Sequence, residues 1–252
     1  MNYKTYLFDF DYTLADSSRG IVTCFRAVLT RHQYLNVTDE AIKRTIGKTL
    51  ENSFSILTGV TDAEQLAAFR NEYKLEADIH MNPNTHLFPD TLSTLKGLKA
   101  KGARIGIIST KYRFRILSFL EAYLTEDFFD IIVGGEDVDA PKPSPEGVLF
   151  ALNQLGSTPQ ETLYIGDSTV DAETAQNAGV DFAGVLNGMT TADELGLYPH
   201  RIIMQTLEEL LNYFISTLVC KFIRSCVYRF INCFILEGRF FFLQKIKRNI
   251  CP

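Results

Sequence analysis

Two hydrophobic rhythms alternate along this chain. Short, nearly continuous apolar runs, "KTYLFDF", "ARIGIIS", "FDIIVGG", "TLYIGD" and "VDFAGVL", read as five strands. Longer stretches with apolar positions every three to four residues read as helices: "DTLSTLKGLKAKG", "YRFRILSFLEAYL", "SPEGVLFALNQLG" and "TVDAETAQNAG". Each is followed by a break, and Gly102 suits the C-terminal stop of the first. Strands alternating with helices predict a parallel sheet in an α/β fold. The unbroken apolar character of the strands agrees, because such sheets are covered on both faces.

The rhythm is interrupted once. From about residue 17 to residue 79 no strand pattern occurs, only helical ones such as "IVTCFRAVLTRH", "DEAIKRTIG" and "DAEQLAAFRNEYKLEADI". This predicts a helical insert directly after the first strand. "MNPNTHLFPD" reads as the return hinge, since Pro and Asn break helices. The insert starts and ends beside the polar end of the first strand, where a lid belongs. The expected division is an α/β core from residues 1–16 and 80–213, a helical cap from 17–79 and an extension from 214–252.

Composition narrows the classes. The 252 residues are 46% hydrophobic, enough for a sizeable core, and the net charge of −5 argues against nucleic acid as the main partner. Lys4 is followed by an apolar run that reaches Asp9 at once, unlike a signal peptide, so a cytoplasmic location is expected. Cys24 stands alone, Cys220, Cys226, Cys233 and Cys251 lie near the end, and no CxxC pair occurs. They read as reduced packing thiols rather than a zinc site. His32, His80, His86 and His200 lack ligand-like spacing and read as surface or hinge residues.

Candidate chemistry gathers at the carboxyl ends of the strands, where open parallel sheets bind ligands. Strand one ends in Asp9 and Asp11, and strand two in Ser109-Thr110-Lys111. Lys142 follows strand three in "PKPSP", and strand four ends in "GDSTVD" with Asp167 and Asp171. Singly, each has an ordinary reading. Asp-x-Asp is common in loops, Ser109-Thr110 suits a helix N-cap, "GDSTVD" suits a turn, and Lys142 suits a solvated loop. Four such features at four successive strand ends favour a site. Four carboxylates in one crevice repel unless a cation sits among them, and ligands of oxygen alone suit Mg²⁺. The set fits phosphoryl transfer: a carboxylate nucleophile, a second carboxylate as acid and base, and lysine and hydroxyl to hold phosphoryl oxygens.

"DFDYT", "IIST", "PKP" and "GDSTVD", in this order, resemble the four motifs of the haloacid dehalogenase superfamily, over about residues 4–212. "DFDYTLADS", "STK" and "GDSTVDAETAQNAG" are most similar to its phosphoglycolate phosphatase-like branch, which includes pyrophosphatases and β-phosphoglucomutase. The resemblance implies a Rossmann-like core with an all-helical cap and a Mg²⁺-dependent phosphatase of a small, phosphoglycolate-like metabolite. Asp9 would be the nucleophile and a metal ligand. Asp11 would be the general acid/base and lend its backbone carbonyl to the metal. Ser109 and Lys142 would bind phosphate, Asp167 would be a direct metal ligand, and Asp171 would support the metal's water shell. Thr110 and Lys111 are candidates for substrate contact, with a plain helix start the alternative for Lys111. So are Gly47 and Lys48, because "RTIGKTL" resembles the cap segment facing the active site; a plain turn between helices is the alternative. A phosphosugar isomerase, a pyrophosphatase or nucleotidase, and a non-catalytic binding module are the competing readings. Tyr12 stands where the family often has glycine, and Asp90 likewise in "LFPD". Tyr12 is expected either to serve through its backbone or to narrow the entrance.

The resemblance stops before the last forty residues. There apolar pairs recur every fourth residue, from Phe214-Ile215 to Phe234-Ile235, among Lys221, Arg224, Arg229, Arg239, Lys245, Lys247 and Arg248, with Glu237 the single acid. A basic amphipathic segment predicts peripheral contact with an anionic membrane or a partner surface. An extension without a selected role is the alternative.

Overall fold

The computed structural model describes residues 3–125 and 127–211. In chain order the elements are β1 (Thr5–Phe8), β2 (Ala15–Asp16), α1 (Ser18–Arg31), α2 (Asp39–Lys43), α3 (Leu50–Thr58) and α4 (Ala63–His80). Then come β3 (His86–Leu87), α5 (Thr91–Ala100), β4 (Arg104–Ile108), α6 (Arg113–Leu120), β5 (Ile131–Val133) and α7 (Glu146–Leu155). The series closes with β6 (Thr162–Gly166), α8 (Thr169–Ala178), β7 (Asp181–Val185), α9 (Ala192–Gly196) and β8 (Ile202–Met204).

Six parallel strands form one sheet in the order β5-β4-β1-β6-β7-β8. All five strands expected from the sequence are present, each trimmed at its ends, and β8 is an addition. The sheet is built as an α/β sandwich: Leu7, Ile108, Tyr164 and Phe182 from strands pack with Val148, Leu152, Ala172 and Ala175 from α7 and α8. β1 lies at the centre, with β4 and β6 on its two sides. The direction of winding reverses there, so a crevice opens beyond its carboxyl end.

The chain leaves this sheet after β1 and returns through β3. The two crossings pair as an antiparallel ribbon, Ala15 opposite Leu87 and Asp16 opposite His86. Between them, α1 to α4 bury a cluster of their own that includes Ile21, Phe25, Val28, Ile42, Phe54, Phe69 and Tyr73. The helix starts are written in the sequence. Thr38, Thr49 and Asp62 each accept a backbone N–H from three residues on, and Gly59 ends α3 with φ +76°. Asp90 serves the packing of the core. Its Oδ2 accepts the Glu208 backbone N–H at 2.9 Å, fastening the segment after β8 to the start of α5.

Cys24 is buried in the helical cluster. His32 meets Glu72 at 2.7 Å, and His200 Nδ1 lies 2.8 Å from the Tyr198 carbonyl. No helix of the described residues is long and apolar enough to cross a membrane. The remaining cysteines and the basic extension lie outside the described residues.

Candidate active site

Asp9 follows β1, and its backbone N–H still bonds the Ile165 carbonyl at 2.9 Å, in ladder register with β6. Asp167 follows Gly166, the last residue of β6. Asp171 lies one turn into α8, where it closes a capping box with Ser168. Two neighbouring strand ends and one helix start thus deliver three buried carboxylates whose oxygens lie within 4.8 Å of one another. Lys142, from the loop between β5 and α7, reaches in among them. Its Nζ is 2.9 Å from Asp9 Oδ1 and 2.7 Å from Asp171 Oδ1.

Three carboxylates against one ammonium leave an excess of negative charge away from water. Burial raises the Asp9 pKa to about 7; Lys142 pulls against that rise, while Asp171 and Asp11 add to it. Burial, then Asp171 and Asp9, hold Asp167 well above the usual carboxylate range. For Lys142 burial lowers the pKa, but Asp171 and Asp9 outweigh it and raise the ammonium well above its ordinary value. Asp9 Oδ1 faces the lysine without hydrogen-bond alignment and has no hydrogen-bond partner. An all-oxygen set with surplus negative charge fits a hard divalent cation. Asp171 is the most committed of the three. Its Oδ1 accepts from Lys142 and Tyr164, and its Oδ2 from the Ser168 backbone and hydroxyl.

Asp11 does not add its carboxylate to this group. Its side chain accepts from Ser17 and pairs with Lys111 at 2.7 Å, with both side chains at most 10% exposed. Lys111 also lies 3.8 Å from Met81 Sδ, at the end of α4. Ser109 is buried at the end of β4, and its Oγ accepts the Lys111 backbone N–H at 3.3 Å. The Thr110 hydroxyl donates to the Gly47 carbonyl at 3.4 Å, so a strand end of the sheet touches the α2–α3 turn. Gly47 has φ +94°, a left-handed conformation that suits glycine, and a Cβ there would lie 3.7 Å from Ser168 Oγ. A cavity of about 390 Å³ opens between the strand ends and the helices, lined among others by Asp11, Gly47, Lys48, Thr110 and Lys111.

Residues 6–185 match the haloacid dehalogenase-like hydrolase family. The chain belongs to that family. A structure from Bacteroides fragilis described as a haloacid dehalogenase-like hydrolase is 67% identical, with a TM-score of 0.82 over 83% of this chain and 100% of that one. Pyrophosphatase PpaX of Bacillus pumilus is 32% identical over 198 residues, 79% of this chain and 89% of its own length. A Lactobacillus plantarum structure described as a phosphoglycolate phosphatase is 25% identical, with a TM-score of 0.75 over 84% of this chain and 99% of that one.

Several residues that shape the site of this hydrolase are not evident from the sequence pattern. Tyr164 is fully buried under the site, and its hydroxyl lies 3.3 Å from Lys142 Nζ and 3.2 Å from Asp171 Oδ1, orienting both. Gly166 makes room for Asp171: a Cβ there would lie 2.4 Å from the Asp171 Cβ. Gly188 lets the loop after β7 close on Asp167, since a Cβ there would lie 2.0 Å from Asp167 Oδ2. The signals are present, a tyrosine inside an apolar strand and glycines beside acidic residues, but the pairs are set by tertiary packing. Tyr12 explains the family's glycine: its φ is +58°, in the left-handed region. The residue is buried, and its side chain packs beside Gly188 and Asp167.

Proposed function

We propose that this hydrolase is a cytoplasmic, Mg²⁺-dependent phosphatase of a small phosphorylated metabolite. The observation that carries the reading is the buried Asp9–Asp167–Asp171 group with Lys142 inserted, beside the Asp11–Lys111 pair at the cavity floor. Asp9, Asp167 and the Asp11 backbone carbonyl would hold Mg²⁺, with Asp171 supporting its water shell. The ion would neutralise phosphoryl oxygens and hold them in line.

The chain's own groups supply the remaining chemistry. An Asp9 oxygen attacks phosphorus, forming an aspartyl-phosphate as the bond to the leaving oxygen breaks. The Asp11 carboxylic acid gives its proton to that oxygen. A water then attacks the phosphorus, Asp11 takes the water's proton, and inorganic phosphate leaves Asp9 as a free carboxylate. Lys142 and the Ser109 hydroxyl bind phosphoryl oxygens, and Lys111 holds the Asp11 carboxylate in place. Thr110, Lys111, Gly47 and Lys48 border the space for the leaving group.

The similarity to a protein named pyrophosphatase and to a structure described as a phosphoglycolate phosphatase puts both compounds in the first test panel. Phosphate release is measured over phosphomonoesters and pyrophosphate, with Mg²⁺ and with EDTA. Release that disappears in EDTA and returns with Mg²⁺ is expected. Full activity in chelator, with no metal by elemental analysis, would overturn the reading. Interconversion of phosphosugars without phosphate release would replace it by an isomerase.

A further inference from the structure

The cavity above the Asp11–Lys111 pair is larger and more basic than removal of a phosphate requires. Its wall includes Lys48, Arg70, Lys74, Lys111 and Arg115 against the acids Asp11, Glu51 and Asp139, in a chain whose net charge is −5. Most of the cations are committed. Lys111 pairs with Asp11, and Arg115 pairs with Asp78 at 2.6 Å and donates to the Lys74 carbonyl at 3.0 Å. Lys74 Nζ lies over the Tyr112 ring, 4.7 Å from its centroid. The other two are less so. Lys48 makes no ion pair among the described residues. Arg70 meets a single carboxylate, Glu51, at 2.6 Å, and its buried Nε has no hydrogen-bond partner. The Arg70 side chain is 33% exposed, and its guanidinium carries donors beyond the one that Glu51 takes, which an anionic ligand can use.

Arg70 is also remote from the reacting end. Met81, just past α4, touches Lys111. Arg70 lies eleven residues earlier on the same helix, roughly 16 Å along its axis at 1.5 Å per residue. Between them α4 offers Tyr73, Lys74 and Ala77 to the cavity, and α1 offers Ile21 and Phe25. The two phosphorus atoms of pyrophosphate share one bridging oxygen, and the carboxylate of phosphoglycolate is two carbons from the ester oxygen. The long Arg70 and Lys111 side chains cover part of that distance from either end, and a chain of several carbons is better matched to the remainder than either compound.

We infer that Arg70, supported by Lys48, is a specificity-determining anion subsite, and that the preferred substrate is an extended phosphomonoester whose far end carries a second acidic group. The Glu51 carboxylate holds the guanidinium at the cavity edge. An acidic terminus on the leaving group completes the hydrogen bonding of Arg70 while the phosphoryl group lies at Asp9. This inference rests on the phosphatase reading and narrows its substrate class.

The probes are 6-phosphogluconate and sorbitol 6-phosphate, linear chains that differ only in a terminal carboxylate, with phosphoglycolate as the short acid. Two readouts are taken: kcat/KM of the wild-type protein, and calorimetric affinity for Asp9→Asn, in which turnover is blocked. The acid-ended chain is expected to exceed its neutral partner, and phosphoglycolate, at least tenfold in both. Arg70→Gln and Lys48→Gln should each cut the acid-to-neutral ratio severalfold, and Arg70→Lys should restore part of it. Equal affinities of the two chains for Asp9→Asn would overturn the inference. So would a ratio that survives both charge-removing variants, or phosphoglycolate as the best substrate. Failure of the wild-type protein to release phosphate from any ester would instead sink the phosphatase reading, and the affinity ratio would still decide the subsite.

Discussion

Asp9 shows what its position costs the fold. Its carboxyl has a pKa of about 7 in the folded chain against an ordinary value of 3.8, chiefly because burial disfavours the charged form. Between those values the folded state keeps a proton that the unfolded state has released. Stability therefore falls as pH rises through this window, by ~1.4 kcal/mol per pH unit for this group, and is unaffected below it. Asp167 is shifted in the same direction. A bound cation reverses the balance by favouring the ionised forms. In chelator, the melting temperature of the wild-type protein should decline between about pH 5 and about pH 7, and that of Asp9→Asn should decline less. Saturating Mg²⁺ should remove the advantage of the variant, which should have no measurable turnover. Parallel melting curves in chelator would show that Asp9 is ionised throughout, and wild-type kcat in the variant would remove it from the chemistry.

At the scale of elements, the sequence shows what is local and hides what is not. β1, β4, β5, β6 and β7 are legible because buried parallel strands are continuous apolar runs with polar ends, and the segments after those ends are also where Asp9, Lys142, Asp167 and Asp171 stand out. β8 and the β2–β3 ribbon are too short for any period to appear; they are strands only because a partner lies beside them. The Asp11–Lys111 pair spans a hundred residues, and Arg70 reaches the cavity through the packing of α4, so no spacing announces either. The contact between α6 and α4 is of the same kind. Arg115, near the start of α6, bonds the Lys74 carbonyl and Asp78 on α4, and Asn82 meets Ser118 at 3.0 Å. Asp78 is 58% exposed, so the ion pair is worth at most ~1 kcal/mol of stability. Its effect should fall on the position of the helices above the site. Arg115→Ala is expected to lower the melting temperature by no more than about 2–4 °C, to raise KM severalfold and to speed hydrogen exchange at the end of α4. Unchanged KM and exchange would show that the apolar contacts alone hold α4 in place.

For the whole molecule, the question is how much of the chain the chemistry needs. Every residue assigned a chemical role lies between Asp9 and Asp171, Gly188 closes on Asp167 a little beyond them, and the family match ends at residue 185. β7 and β8 complete the sheet beyond it, and Leu207 and Leu210 are fully buried, so the core requires the chain up to about that point. The Bacteroides fragilis structure is matched over its whole length by 83% of this chain. The segment after residue 213 also differs in kind, basic and apolar where the whole chain is acidic, with seven cations against Glu237. Basic residues near an anionic surface contribute about 1 kcal/mol each, so a segment of this composition is suited to vesicles of anionic lipid. Deletion of residues 215–252 should therefore leave Mg²⁺-dependent phosphate release within about twofold of the full chain and lower its sedimentation with anionic vesicles, an effect that salt should mimic. A deletion variant that is insoluble, or whose kcat collapses while its metal content is unchanged, would show that the extension packs on the hydrolase and belongs to its fold.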